Sequence, residues 1–226
     1  MPSRGHCQTV PMSQRLVVGL TALLMLVACG GSNPLKPAGP TASSVAVQPG
    51  DLPKDMKKCD QSGDMDSFLN RAKTKDSTNY NTIKPEWDAA KKQGATAAYA
   101  AFYTDSTAHC ASVEANSGDA STATYKLALN FVIQFKDEAS ASKGYSSESI
   151  FGFSTSALKS GGAPVLEGAA KTGLSPNSIV LSVAISNQSF YIAVWQNKVF
   201  MVILAILNID TATCKKVALA ENSRIK

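Results

Sequence analysis

Side chains that could perform catalysis or hold a metal ion are sparse in this sequence. Its two histidines are His6 and His109, and only His109 lies beyond the first 30 residues, next to Cys110. Zinc sites combine several cysteine and histidine ligands at short spacings, and a serine–histidine–aspartate triad needs a histidine base. One histidine is too few for a zinc site of this kind. It could serve as the base of a triad, but the sequence has no Gly-x-Ser-x-Gly motif to supply the nucleophile. We therefore predict no zinc site and no catalytic residues.

Acidic residues cluster in the stretch DQSGDMD, where Asp60, Ser62, Asp64 and Asp66 offer side-chain oxygens at every second position. Alternating oxygen ligands suit a hard cation such as Ca²⁺, but Gly63 is displaced from the position that an EF-hand loop requires. Aspartate is also favoured at helix N-termini, so the run is better interpreted as the start of a helix. Gly161-Gly162 lacks the lysine and serine of a phosphate-binding loop. We predict no metal, no cofactor and no enzymatic activity.

The N-terminus has the pattern of an export signal. Arg4 and Arg15 are the charged residues before position 29, and residues 16–27 (LVVGLTALLMLV) form an apolar run. A transmembrane helix needs about 20 apolar residues, whereas a shorter run after basic residues is typical of a cleaved signal. Residues 1–28 are therefore predicted to be a signal peptide.

The residues that end this run, Leu26-Val27-Ala28-Cys29, resemble the lipobox of bacterial lipoproteins. In that family the cysteine sulfur receives a diacylglyceryl group, the chain is cut before the cysteine, and the new amine is often acylated. The resemblance implies that Cys29 attaches the protein to the extracytoplasmic face of a cell membrane, or to the outer membrane in a bacterium that has two. Two or three acyl chains give a stable anchor without a membrane-spanning helix.

Residues 29–50 are predicted to be the lipidated cysteine and a flexible tether, because the stretch is rich in Gly, Pro, Ser and Ala and carries one charge, Lys36. Residues 51–226 are predicted to form a single domain that is long enough to bury a substantial core. Without residues 1–28 the chain has 20 basic and 17 acidic residues, and they are scattered along it. The absence of a basic stripe argues against nucleic-acid binding.

Because the protein is expected to be exported, its other cysteines are candidates for a disulfide, since disulfides persist outside the cytoplasm. Cys59, Cys110 and Cys214 lie in the predicted domain, so at most one pair forms within the chain. Cys214 falls on the apolar side of a predicted helix and is expected to be a buried free thiol. Cys59 and Cys110 lie in polar, turn-rich stretches, and we predict a disulfide between them.

Hydrophobic periodicity predicts an α+β domain, in which an antiparallel sheet of about four to five strands carries packed helices after a helical N-terminal part. In the clearest strand, 125–135, apolar residues alternate onto one face while Lys126, Asn130 and Gln134 fall on the other. Further strands are predicted at 164–168, 178–185, 190–196 and 199–207, and helices at 64–72, at 85–103 with a break or kink at Gly94, at 137–147 and at 210–223.

The strands predicted at 190–196 and 199–207 are apolar on both faces, so both faces must be covered. Helices would cover one face. The second would be covered by more helices, by a partner protein, or by an apolar ligand in a cavity. In the last case Tyr191, Trp195 and Met201 are the candidate pocket residues, although residues of this kind more often belong to an ordinary core.

Two functions agree with these observations. The first is a non-catalytic binding or sensing domain that recognises another component of the cell envelope, which requires an exposed apolar or aromatic patch. The alternative is a carrier of an apolar small molecule or lipid, which requires a cavity of several hundred cubic ångströms between the sheet and the helices.

Overall fold

An antiparallel sheet of eight strands organises the domain. The computed structural model describes residues 39–147, 150–185 and 187–226, so the predicted signal peptide and Cys29 lie outside the described residues. The strands are β1 (Lys57–Lys58), β2 (Gly63–Asp64), β3 (Ala95–Thr104), β4 (Leu127–Phe135), β5 (Val165–Glu167), β6 (Asn177–Ile185), β7 (Gln188–Asn197) and β8 (Phe200–Leu207). The helices are α1 (Ala42–Val45), α2 (Met65–Lys75), α3 (Ser77–Lys92), α4 (Thr107–Ala115), α5 (Glu138–Tyr145), α6 (Thr155–Ser160), α7 (Ala169–Thr172) and α8 (Thr211–Ser223), with 3₁₀ turns at Pro49–Asp51 and Ser117–Thr122.

The strands follow the order β1-β3-β4-β8-β7-β6-β5, and β2 pairs with β3 beside β1. Helices pack around this sheet, which confirms the mixed α and β class. The predicted number of four to five strands is wrong. Hydrophobic alternation identified β4 to β8, but β1 and β2 have only two residues each, and β3 has the composition of a helix.

The helix predicted at 85–103 is in fact a helix followed by a strand. α3 begins earlier, at Ser77, and ends at Lys92, and β3 begins at Ala95. Gly94 separates them with a φ of +102°, a conformation that favours glycine. The alanines of β3 favour a helix locally. Pairing with β4 along nearly the whole strand overrides that preference, because strand formation depends strongly on context.

Three of the predicted helices begin at an aspartate, as the sequence indicated. Asp64, Asp137 and Asp210 each accept a hydrogen bond from a backbone N–H three residues further on, at the start of α2, α5 and α8. The pKa of all three carboxyl groups lies below the ordinary value. The backbone hydrogen bond is the main cause for Asp64 and Asp137, and the hydrogen bond from the Thr213 side chain is the main cause for Asp210. Within the described ranges, no helix combines the length and apolar character that crossing a membrane requires.

Segments of the chain pack against both faces of the sheet. The first face, which carries Phe102 and Phe131, packs against α2, α3 and α4. The second face, which carries Tyr103 and Val132, packs against residues 42–52 and α8. Packing on both faces accounts for β8, whose residues are all buried, but it leaves Phe190 and Ile192 on the first face of β7 only partly buried.

The N-terminal segment 42–52 is part of the folded domain. Val45, Ala46 and Val47 are buried. The Arg224 guanidinium donates to the backbone carbonyl of Val45 at 3.0 Å and forms two hydrogen bonds with the Asp51 carboxylate, at 2.7 and 3.1 Å. The structure therefore corrects the tether boundary predicted at residue 50. A short apolar run within a polar stretch gave no periodic signal, and its partners lie far away in the sequence.

A buried polar network joins this segment to the sheet and to α8. Asn130, which the sequence placed on a polar strand face, is fully buried. Its amide nitrogen donates to the Glu221 carboxyl at 2.9 Å, and its amide oxygen accepts from the Val47 backbone N–H at 3.0 Å. Glu221 is fully buried too, and its second carboxyl oxygen has no hydrogen-bond partner among the described residues.

Glu221 is expected to make the stability of the protein depend on pH. Burial raises the pKa of Glu221 well above its ordinary value, although the Asn130 amide and the Arg224 charge act in the opposite direction. Above about pH 4.5 the unfolded chain has lost this proton while the folded protein retains it, so stability falls as pH rises through that window. The slope reaches at most about 1.4 kcal/mol per pH unit.

The substitution Glu221→Gln tests this prediction, because glutamine has the shape of the protonated acid and does not titrate. The free energies of unfolding of the variant and the wild type are measured in urea at pH 4, pH 5.5 and pH 7. We expect the variant to gain stability relative to the wild type as the pH rises. A difference that stays constant over this range would contradict the raised pKa.

The structure joins Cys59, just after β1, to Cys110 of α4 in a disulfide, which is the predicted pairing. Cys214 is a free, buried cysteine in the core of the second face. Burial raises the pKa of the Cys214 thiol to about 12, so the thiol stays protonated and unreactive.

Candidate functional site

A cavity of about 500 Å³ lies on the first face of the sheet, and we call it the apolar pocket. Small-molecule sites in proteins typically have volumes of roughly 300–1,000 Å³. Most residues around it are hydrophobic: Ile83, Phe102, Ala120, Leu129, Phe131, Phe151, Phe153, Phe190, Ile192, Ala205 and Leu207. The others are small or uncharged: Asn79, Ser117, Gly118 and Ser121.

Four adjacent strands form the floor of the apolar pocket. Phe102 of β3 lies opposite Leu129 of β4, and Leu129 lies opposite Ala205 of β8. Ala205 in turn lies opposite Ile192 of β7. Residues paired in this way project from the same face of a sheet. Ala205 has the smallest side chain in this row, so its methyl group leaves space between the larger Leu129 and Ile192.

Three segments lie around and above this floor. Helix α3 contributes Ile83, and the 3₁₀ turn Ser117–Thr122 contributes Ala120. The turn between α5 and α6 contributes the rings of Phe151 and Phe153. The pocket therefore combines the centre of the sheet with three separate parts of the chain. These parts are distant in the sequence and come together only when the domain is folded.

Two carboxylates hold these covering segments to α3. The Asp76 carboxylate, just before α3, accepts from the Ser117 backbone N–H at 2.8 Å. The Glu86 carboxylate, within α3, accepts from the Gly152 backbone N–H at 2.9 Å. Both are hydrogen bonds to a charged group, which contribute more to stability than neutral ones. The walls of the apolar pocket are thus fixed to one helix at two points.

Phe151 adopts a left-handed backbone conformation, with φ of +52°, and Gly152 follows at +77°. Ile150 and Phe153 exchange backbone hydrogen bonds of 2.9 and 3.0 Å around them, so the pair forms a two-residue hairpin turn. This conformation costs a bulky residue about 1–3 kcal/mol. Packing of its ring at 5.1 Å from the Phe131 ring offsets the cost. Such strain is typical of ligand sites.

The apolar pocket is accessible to solvent. Leu129, Phe153, Phe190 and Ile192 are only partly buried, although all four line it. Large apolar side chains that stay partly exposed on a concave surface indicate a binding groove. A ligand that covered these side chains would remove apolar surface from water.

The residues that the sequence suggested for a pocket do not line this one. Tyr191 and Trp195 are buried in the core of the second face, and Met201 is buried in the core of the first. Successive residues of a strand point to opposite faces, so Phe190 and Ile192 line the pocket while Tyr191 does not. The sequence did not reveal which face would be left incompletely packed.

Phe151 and Phe153 were also missed. They flank a glycine in the sequence IFGFS, which fits neither a helix nor a strand period. Two aromatic residues around a glycine are unusual for an exposed turn, and this was the signal available in the sequence.

The remaining candidates for chemistry have structural contacts. The His109 ring stacks on Tyr125 with centroids 3.9 Å apart, and its Nδ1 lies 2.5 Å from an Asp105 carboxylate oxygen. Neighbouring Cys110 is part of the disulfide. Asp64 caps α2. In the part of the chain that the structure describes, no three His, Cys, Asp or Glu side chains lie close enough to hold a metal ion.

No protein-family model and no curated protein matches the sequence. Among solved structures, the chain is similar to the crystal structure of the extracellular domain of PknH from Mycobacterium tuberculosis, with 12% sequence identity and a TM-score of 0.44. The match covers 83% of this chain and 92% of the other. This likeness concerns the course of the backbone and assigns no role to any residue of the apolar pocket.

Proposed function

We propose that the domain binds an apolar small molecule or acyl chain in the apolar pocket. We further propose that it does so outside the cytoplasm, held at a membrane by lipid on Cys29. The observation that carries the first proposal is the pocket itself. It has the volume of a ligand site, hydrophobic walls and partly exposed side chains. The lipobox resemblance and the preceding apolar run support the second.

The apolar pocket would favour a ligand through burial of hydrophobic surface. Each buried CH₂ group contributes roughly 0.8 kcal/mol, so an octyl chain would gain about 6 kcal/mol before the costs of association. No charged side chain is among the residues that line the pocket. An apolar group would therefore enter it without desolvating a charge.

The alternative of a protein-binding surface has less support. Among the described residues, the large hydrophobic side chains with high exposure are Leu166 at 48% and Ile185 at 60%. Leu166 pairs with Val180 of β6, and Ile185 lies five residues further along that strand. Residues at even and odd positions of a strand point to opposite faces. These two side chains therefore do not form the continuous patch that this hypothesis requires.

Binding of the neutral dye N-phenyl-1-naphthylamine tests the proposal, because its fluorescence rises when it leaves water. Residues 30–226, which contain the whole compact unit from Gly39 to Lys226, are the protein for this measurement. We expect saturable binding by the wild type. The substitution Ala205→Phe fills the floor of the pocket and is expected to weaken binding at least tenfold.

The matched control is Ala97→Phe, which adds the same ring at an exposed position of β3 and should leave dye binding unchanged. Circular dichroism checks that both variants fold. Failure of the wild type to bind the dye saturably, or equal binding by Ala205→Phe and the wild type, would refute the proposal.

A further inference from the structure

A second cavity, of about 640 Å³, adjoins the apolar pocket, and we call it the polar groove. It lies between the first turns of α3 and the segment that follows α4. Asn79, Ser117 and Gly118 border both cavities. The two cavities are therefore adjacent.

The polar groove differs in chemistry from the apolar pocket. Its side chains are mostly hydroxyl and amide groups, including those of Ser77, Thr78 and Thr82. These groups donate and accept hydrogen bonds. Most of them are exposed, so a polar group bound there would stay partly hydrated. The two cavities together thus offer a hydrophobic chamber beside a hydrogen-bonding surface.

Two side chains in the polar groove carry charge, Lys75 and Asp76, and their charges are opposite. Partial burial acts to raise the pKa of Asp76, but hydrogen bonds from the backbone N–H groups of Asn79 and Ser117 outweigh it and lower the pKa. Asp76 is therefore ionised at neutral pH. Because Lys75 and Asp76 carry opposite charges, the groove has no net charge and favours neither an anionic nor a cationic head group.

The border between the two cavities is formed by short side chains. Ser117 and Gly118 offer little bulk there, and a Cβ on Gly118 would lie only 3.1 Å from the Asn116 side-chain oxygen. The Asn79 amide is the largest group at this border. It is placed where the polar end of a ligand would meet its apolar end.

We propose that the ligand is an amphiphile with one apolar chain and a neutral, hydroxylated head group such as a sugar. The chain would lie in the apolar pocket and the head group in the polar groove. This inference rests on the proposed function and adds the chemical class of the ligand. It follows from the adjacency of the two cavities, which share three lining residues, and from their different linings.

Displacement of the bound dye by three octyl compounds tests the inference, at concentrations below those at which they form micelles. Octyl β-glucoside has a neutral hydroxylated head, octyl phosphate has an anionic head, and 1-octanol has almost no head. We expect octyl β-glucoside to displace the dye at concentrations at least tenfold lower than the other two require.

The substitutions Thr78→Val and, separately, Thr82→Val remove a hydroxyl group from the groove and keep the size of the side chain. Both residues line the polar groove and not the apolar pocket, so both variants are expected to bind the dye as the wild type does and to lose most of the preference for the glucoside. The matched control is Thr74→Val, at an exposed position of α2 that borders neither cavity, and it should keep the preference.

The outcomes separate the two proposals. If no dye binds, the proposed function fails. If the dye binds but all three octyl compounds displace it equally, the function stands and the head-group inference is overturned. A preference for octyl phosphate also overturns it, because the head group would then be anionic.

Discussion

The double substitution Cys59→Ala, Cys110→Ala is expected to lower the free energy of unfolding by about 4 kcal/mol. The disulfide joins residues 51 positions apart, and the chain-entropy model gives about 4 kcal/mol for a loop of that length. In a domain of this size the melting temperature should fall by roughly 8–16 °C. Thermal unfolding without reductant, followed by circular dichroism, measures the change.

Reductant provides the internal control for this prediction. It should lower the melting temperature of the wild type and of Cys214→Ala, which keeps the disulfide, but not that of the double variant. A wild-type protein that is indifferent to reductant would show that the bond is absent or contributes nothing to stability.

The disulfide also connects the stability of the fold to the candidate site. The Cys59 backbone N–H donates to the carbonyl of Phe102 at 2.8 Å, and the Phe102 ring forms part of the pocket floor. Cys110 lies in α4, and the chain after α4 forms the 3₁₀ turn Ser117–Thr122 beside the pocket. Loss of the bond should therefore loosen one wall and weaken dye binding as well as lower stability.

The elements that could be predicted from the sequence are those whose own residues show a local pattern, such as hydrophobic alternation, an apolar run or a capping aspartate. Strand β4 alternates apolar residues strictly, and β8 is a continuous apolar run. The aspartates at the starts of α2, α5 and α8 marked those helices, because an aspartate side chain can satisfy the free N–H groups of a first turn. The Cys59–Cys110 pairing was also accessible, since the third cysteine belonged to an apolar helix face.

The elements that were missed depend on partners that are distant in the sequence. The alanines of Ala95–Thr104 favour a helix, and their strand conformation comes from pairing with β4. Segment 42–52 resembles a linker in composition. It is folded because the side chains of Asn130 and Arg224, which lie 83 and 179 positions further along the sequence, form hydrogen bonds with its backbone.

The apolar pocket was expected only as one of three alternatives, and its residues were not identified. A cavity is a place where packing is incomplete, and alternation within single strands does not reveal it. Its floor depends on strand register, which places the small Ala205 between Leu129 and Ile192. Its walls depend on how the turns around Ala120 and Phe151 are held to α3.

The second large effect is expected from Asn130→Leu, which should lower the free energy of unfolding by about 4 kcal/mol. The side chains are similar in size, so the loss would come from polar groups left buried without a partner, each costing roughly 1–3 kcal/mol. These groups are the Val47 N–H, the Glu221 carboxyl and the Ile203 backbone carbonyl, each of which loses a hydrogen bond to Asn130. The matched control is Gln134→Leu, on the same strand and face but half-buried, which should cost less than about 1 kcal/mol.

A double-mutant cycle distinguishes a lost network from a packing defect. Adding Glu221→Leu to Asn130→Leu removes the stranded carboxyl, so the double variant should be more stable than the sum of the single effects by about 1–3 kcal/mol. Hydrogen exchange at the Val47 amide gives a local measurement. This amide should be protected in the wild type and exchange rapidly in Asn130→Leu, because its acceptor is gone. Additive free energies together with unchanged exchange at Val47 would mean that the network does not hold segment 42–52 to the sheet.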